Sequence, residues 1–203
     1  MITALCKRIS LFLYTNGIIS EDEVEICQYG QEITLSTIIG FVIVMAESFA
    51  FKLPIYGLVY YVEFVLLRQL TGGYHASTYF KCNLGFSIVT LLNLLCIKVI
   101  EIQPELYTVS MHLLLSIFSC IVIIIWSPVK NPNKPLSKQN IVFNHIAAIL
   151  FSIIIPIVSF IANTHTPFSA TIEFTLFSVA VLILFAKFKE GGGKHDESEA
   201  HNA

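Results

Sequence analysis

A histidine and a cysteine stand seven positions apart in RQLTGGYHASTYFKC, residues 68–82, with Gly72-Gly73 just before the histidine and Arg68 and Lys81 flanking. A cysteine becomes a strong nucleophile when its thiolate is favoured, and a nearby histidine can take its proton and stabilise the ion pair. His75 and Cys82 have the right identities. On one unbroken helix, residues seven apart share a face but lie about 10.5 Å apart along the axis, too far for a hydrogen bond of about 3 Å. The pair therefore works only if the chain bends, and Gly72-Gly73, with free access to positive φ, supplies a bend beside His75. Cys82 then stands at the start of an apolar run, where a helix N-terminus favours a thiolate. By spacing alone, an interfacial loop histidine and a packed membrane cysteine account for the two residues equally well. Cys96 and Cys120 read as small buried hydrophobes, and Cys6 and Cys27 have no positional claim.

The elements that must hold such a pair follow from composition. Apolar residues make up 55% of the 203, charged residues only 13%, and the mean hydropathy is +0.75. A soluble domain carries about 25% charge, so the chain belongs in a bilayer. Its six histidines and five cysteines show no CxxC or HxxxH spacing, so neither a metal, a cofactor nor a disulfide framework is expected. The net charge of −2 says little about partners; the bilayer is one, and nucleic acid is not expected. Lys7, Arg8 and Asn16-Gly17 interrupt residues 1–20, so no cleavable signal peptide is expected.

A helix crossing hydrocarbon needs roughly 20 mostly apolar residues. The expected fold is all-α: a polytopic membrane protein with about six transmembrane helices, at 34–51, 53–70, 82–100, 106–126, 141–162 and 168–186. Pro156 should kink the fifth. Residues 1–33 form an N-terminal amphipathic segment whose helix, capped by Ser20-Glu21-Asp22-Glu23, is expected to lie at the interface. A short cytosolic helix is the alternative. Residues 34–190 form the transmembrane domain, carrying the 68–82 loop, and 191–203 a flexible tail.

Six spans put both termini on one side. Lys7, Arg8, Arg68, Lys81, Lys130, Lys134, Lys138, Lys187, Lys189 and Lys194 fall there, against Lys52 and Lys98 opposite. The positive-inside rule makes the richer side, with the His75–Cys82 loop, cytoplasmic. Glu47, Glu63, Lys98, His112, His145 and Glu173 fall in or near the apolar runs. Such groups often mark function, but each taken singly is more readily an interfacial or structural residue. Were Glu47, Glu63, Lys98 and Glu173 to line one path, the chain would read instead as a non-enzymatic membrane carrier of a peptide or small solute, with Cys82 dispensable.

Arg68, Gly73, His75 and Cys82, as R-x4-G-x-H-A-x5-C before an apolar span, resemble the accessory gene regulator B (AgrB) family of membrane peptidases, which mature quorum-sensing peptides in Gram-positive bacteria. The small six-span architecture, YGQEI around Glu32 and the Pro- and Lys-rich WSPVKNPNKPL resemble the family too, although only 68–82 is specific. The resemblance implies a cysteine endopeptidase with Cys82 as nucleophile and His75 as base and acid. It implies support from Arg68 and Gly73, and an AgrD-like propeptide as substrate, trimmed of an acidic tail and cyclised to a thiolactone. The family also suggests a homodimer. Glu32 would touch the substrate leader or wall the site, and Lys130, Lys134 and Lys138 would attract the acidic tail. Topology and lipid headgroups account for those lysines equally well.

Overall fold

Lipid offers the backbone no hydrogen-bond partners, so apolar runs in a bilayer must satisfy their amides and carbonyls within the segment. The computed structural model describes residues 2–72, 78–129, 138–163 and 167–200, and among them there is no strand. The helices are α1 (Ile2–Thr15), α2 (Val24–Ala50), α3 (Pro54–Thr71), α4 (Tyr79–Ile102), α5 (Val109–Trp126), α6 (Lys138–Asn163) and α7 (Pro167–Ala200). The chain is an all-α, multi-pass membrane protein.

The N-terminus holds two helices where one was expected. On α1, Cys6 and Ser10 turn inward, while Leu5, Ile9 and Phe12 are exposed on another face. That apolar stripe beside Lys7 and Arg8 suits a helix lying at the lipid interface. Ser20 then opens the next helix: the Glu23 carboxylate accepts both its amide (2.8 Å) and its hydroxyl (2.9 Å). The capped segment is not a separate interfacial helix. It runs unbroken into the first apolar run, as the single 27-residue α2.

Among the described residues, five stretches are long and apolar enough to cross a membrane: Glu21–Ala50, Tyr79–Ile102, Val109–Trp126, Asn140–Ile161 and Pro167–Lys189. The expected span at 53–70 is absent from that set, because α3 carries Glu63, Arg68 and Gln69 in only 18 residues. It is nevertheless threaded through the same depth. Tyr61 Oη donates to Thr37 O on α2 (2.8 Å), and Thr90 on α4 bonds the Tyr60 hydroxyl (3.4 Å). Nearer its start, Leu53 packs with Leu94 and Ile97. Residue numbers rise along α3 as they fall along α2 and α4, so α3 runs antiparallel between them, over about 27 Å at 1.5 Å per residue. Its lipid face is Ile55, Leu58, Val62 and Leu66; its inner face is Gly57, Tyr60, Glu63, Phe64, Leu67 and Thr71. Polar groups on a helix shielded by neighbours do not meet hydrocarbon, and this lowers its hydropathy without removing it from the bundle.

At the centre is α7. Its spanning stretch is 61% buried, against 17–33% for the other four. Small and hydroxyl side chains let neighbours approach it closely: Ser169, Ala170, Thr171, Thr175, Val179, Ala180 and Ala186 are all buried. Thr171 and Thr175 satisfy their hydroxyls on the carbonyls one turn back, both at 2.7 Å. Pro156 lies inside a continuous α6. Proline has no amide to give the carbonyl four residues back; that carbonyl, Ser152 O, accepts the Cys120 thiol from α5 at 2.8 Å. α7 remains helical through most of the expected tail, to Ala200.

Candidate active site

Cys82 sits in the first turn of α4. Thr78 caps that helix, its hydroxyl accepting from Lys81 N (3.3 Å), and Cys82 N closes the turn on Thr78 O (3.0 Å). A helical Cα–Cβ bond tilts toward the N-terminus, so the thiol points back to the end where unpaired amides and the helix dipole favour negative charge. It is half-buried. The Arg68 guanidinium from the end of α3 is within electrostatic reach of it. No other cysteine combines a helix's first turn with the Arg68 guanidinium; Cys27 lies in the first turn of α2 without it. Cys6 is buried under α1, Cys27 accepts from Gln31 Nε2 (3.2 Å), Cys96 is exposed on the lipid face of α4, and Cys120 is tied to α6.

The approach to the 73–77 segment is fixed from the α3 side. Gly72 has φ +66° and ψ −146°, in the region open essentially to glycine alone. A Cβ there would sit 2.5 Å from Val129 O. Arg68 Nη1 donates to Gly72 O (2.8 Å), and Val129 N donates to Thr71 O (2.8 Å). The residues just before the Pro- and Lys-rich loop are thus pinned to those just before the His75 segment. The bend expected at Gly72-Gly73 begins at Gly72, which the sequence reading did not rank among the site residues.

Glu32 is buried on α2, 47 residues from its partner. Its carboxylate accepts the Tyr79 hydroxyl at 2.7 Å and Gln28 Nε2 at 2.8 Å. Tyr79 opens α4 three residues before Cys82, and Ser36 bonds Asn83 one turn deeper (3.3 Å). Glu32 therefore holds the head of α4 against α2 and is linked to the cysteine turn through Tyr79. Tyr79 was missed as a site residue: Thr78 before an apolar run marks the helix start, but no local pattern reveals a partner so far away in the chain.

Of the expected site residues, Cys82, Arg68 and Glu32 gather at one end of the bundle. His75, Gly73, Lys130 and Lys134 lie outside the described residues, and Lys138 is the first residue of α6. Among the described residues there is no group of three metal-ligating side chains. The four charges a carrier path would need do not converge. Glu47 bonds the Ser87 hydroxyl, and Lys98 pairs with Glu101 at the surface; only Glu63 and Glu173 approach each other.

Residues 6–186 match the accessory gene regulator B (AgrB) family. A protein of Clostridium beijerinckii named "Putative AgrB-like protein" is 29% identical over 144 residues, 68% of each chain. No solved structure matches the chain.

Proposed function

Starting from the premise that the chain belongs to the accessory gene regulator B family, we propose that it is a membrane cysteine endopeptidase that trims and cyclises an AgrD-like propeptide. Membership ties the chain to quorum-sensing propeptide processing; the cysteine chemistry is our reading. The observation that carries it is the placement of Cys82, in the first turn of a helix and, alone among the cysteines, within electrostatic reach of the Arg68 guanidinium.

In this mechanism the Cys82 thiol gives its proton to His75 and the sulfur attacks the carbonyl before the acidic tail. The carbon–nitrogen bond breaks, His75 returns the proton to the leaving amine, and an acyl thioester remains on Cys82. A cysteine thiol within the substrate then attacks that thioester. The ring closes as a thiolactone, and the proton returns to Cys82. One thioester replaces another at little cost in bond energy, so peptide cleavage must be drawn by substrate binding, release of the tail and exclusion of water. The site at the head of a span, walled by Glu32 and Tyr79, suits that demand. Arg68 stabilises negative charge at the sulfur, and Lys130, Lys134 and Lys138 attract the acidic tail, a contact that salt would screen.

The test is coexpression with a candidate propeptide and mass spectrometry of the products. Cys82→Ala and His75→Ala abolish tail release while the protein stays in the membrane, and Cys96→Ala and Cys120→Ala process normally. Full cleavage by Cys82→Ala would sink the mechanism.

A further inference from the structure

A second group of titratable side chains lies far from Cys82, near the opposite ends of the spans. Tyr107, in the turn before α5, places its hydroxyl 2.9 Å from His112 Nδ1. Burial, and then Glu173, raise the Tyr107 phenol above its usual range, so it remains a proton donor. The same hydroxyl lies 3.5 Å from Ser169 O; when it donates to Nδ1 instead, the imidazole carries its hydrogen on Nε2. Nε2 is 3.6 Å from Glu173 Oε1, and the imidazole also interacts with the Pro156 backbone of α6. The Ser116 hydroxyl lies 2.8 Å from the other Glu173 oxygen and 2.8 Å from His112 O. Tyr107, His112 and Glu173 are at most 1% exposed.

Glu63 completes the group. It is 6% exposed and within electrostatic reach of Glu173, yet neither of its carboxyl oxygens has a hydrogen-bond partner. Thr175 lies beside it, but the Thr175 hydroxyl is committed to Thr171 O. Glu173 Oε1 is likewise without a hydrogen bond. A buried carboxylate with no donor is among the costliest groups a protein can hold, and two in mutual reach repel. A proton shared within the group removes both costs. Among the described residues, Cys120 on α5 is also within reach of Glu173, and the Tyr60 hydroxyl, one turn before Glu63 on α3, is engaged by Thr90. Glu47 on α2 is taken by Ser87, and Arg68, further along α3, donates to Gly72 O.

We propose that Glu63, Glu173 and His112 form an intramembrane proton-binding site, with Tyr107 connecting it to the face opposite Cys82. The ligand is the proton itself. The site bridges α3, which leads into the Cys82 region through Gly72, and the central α7, so its charge state acts on the contact between those two helices. The proposal does not depend on the peptidase reading, since none of these residues belongs to that machinery.

The experiment is infrared difference spectroscopy of the full chain in lipid nanodiscs across a pH series, reading the C=O stretch of protonated carboxylic acid. At neutral pH the band is present, and it is lost in Glu63→Gln. In Glu173→Gln its titration midpoint falls by about one pH unit or more, a tenfold change in proton affinity, because the repelling neighbour is gone. A band that survives in both Gln variants, a midpoint unmoved by Glu173→Gln, or a midpoint displaced by sodium at constant pH overturns the proposal. Should a Gln variant not be recovered folded, wild-type protein carrying ¹³C-labelled glutamate is titrated instead. The labelled band then titrates in two coupled steps; a single independent step overturns the proposal.

Discussion

Cys82 owes its position to small local devices that act together. Thr78 ends the preceding segment and starts the helix, and the first turn of α4 then directs the thiol toward its own N-terminus. Arg68 contributes a charge, and Tyr79 ties the turn to a buried Glu32. Removing one side of that tie leaves the Glu32 carboxyl with Gln28 alone. Tyr79→Phe is expected to lower the unfolding free energy by about 1–3 kcal/mol, the usual consequence of leaving a buried acceptor short of a donor. It should also slow tail release more than Glu32→Gln, which keeps an acceptor for the phenol. Thermal unfolding in detergent, paired with cleavage rates, checks both. Equal cleavage by Tyr79→Phe and wild type would show that the head of α4 needs no such anchor. The cysteine at the head of an apolar run and the turn at Gly72 were legible from local types and spacing, whereas a supporting role for Arg68 was implied only by the resemblance. Glu32 was legible only by resemblance, and its bond to Tyr79 was not legible at all, because a hydrogen bond across 47 residues is a product of tertiary packing.

Among the elements, α3 is the most instructive. Its pattern of one lipid face and one inner face is readable as helical periodicity, and Pro54 at its start is where a helix tolerates proline. Its polar content makes it a poor span by composition, and what keeps it in the bundle is close contact with α2. A Cβ on Gly57 would fall 2.3 Å from Ser48 Cβ and 2.5 Å from its hydroxyl. Small residues at such crossings let membrane helices approach and gain van der Waals contact where no hydrophobic force drives them together. Gly57→Ala should therefore separate α2 from α3 and destabilise the protein by about 1–3 kcal/mol, as overpacking does. Ser48→Gly, which removes both clashing atoms, should restore most of the loss in the double variant. A double-mutant cycle on thermal stability checks this, and strictly additive losses would contradict the contact. The fusion of the capped N-terminal segment with the first span was not foreseen. The capping box correctly marks where a helix begins, but nothing in a sequence marks that an interfacial pattern will continue into a transmembrane one.

At the scale of the whole molecule, the antiparallel passage of α3 gathers the ends of α3 and α5 and the starts of α2, α4 and α6 on one face. Ten of the twelve lysines and arginines were assigned to that face from sequence, and by the positive-inside rule we propose that it is the cytoplasmic one. A single cysteine placed at Phe80, in a variant lacking the five native cysteines, is then expected to resist membrane-impermeant maleimide in intact cells and to react after permeabilisation. Ready labelling of intact cells would reverse the orientation. The all-helical class and the general course of the spans were written in composition and hydropathy. The central role of α7 was not, because its apolar content resembles that of its neighbours; small and hydroxyl residues spread along one face show their purpose only once other helices lie against them. The meeting of Glu63, Glu173 and His112 was invisible for the same reason, as the three come from three separate helices.

The peptidase account rests on covalent chemistry at one sulfur, and that can be seen directly. The full chain is coexpressed with a propeptide whose internal cysteine is replaced by alanine, so that the acyl group has no thiol to move to, and the protein is digested and analysed by mass spectrometry. The account predicts the peptide containing Cys82 carrying the mass of the tail-less propeptide through a bond that hydroxylamine cleaves. No adduct forms in Cys82→Ala, whose tail release falls by at least about a thousandfold, as loss of a nucleophile requires. Tail release at the wild-type rate with Cys82 unmodified would contradict it.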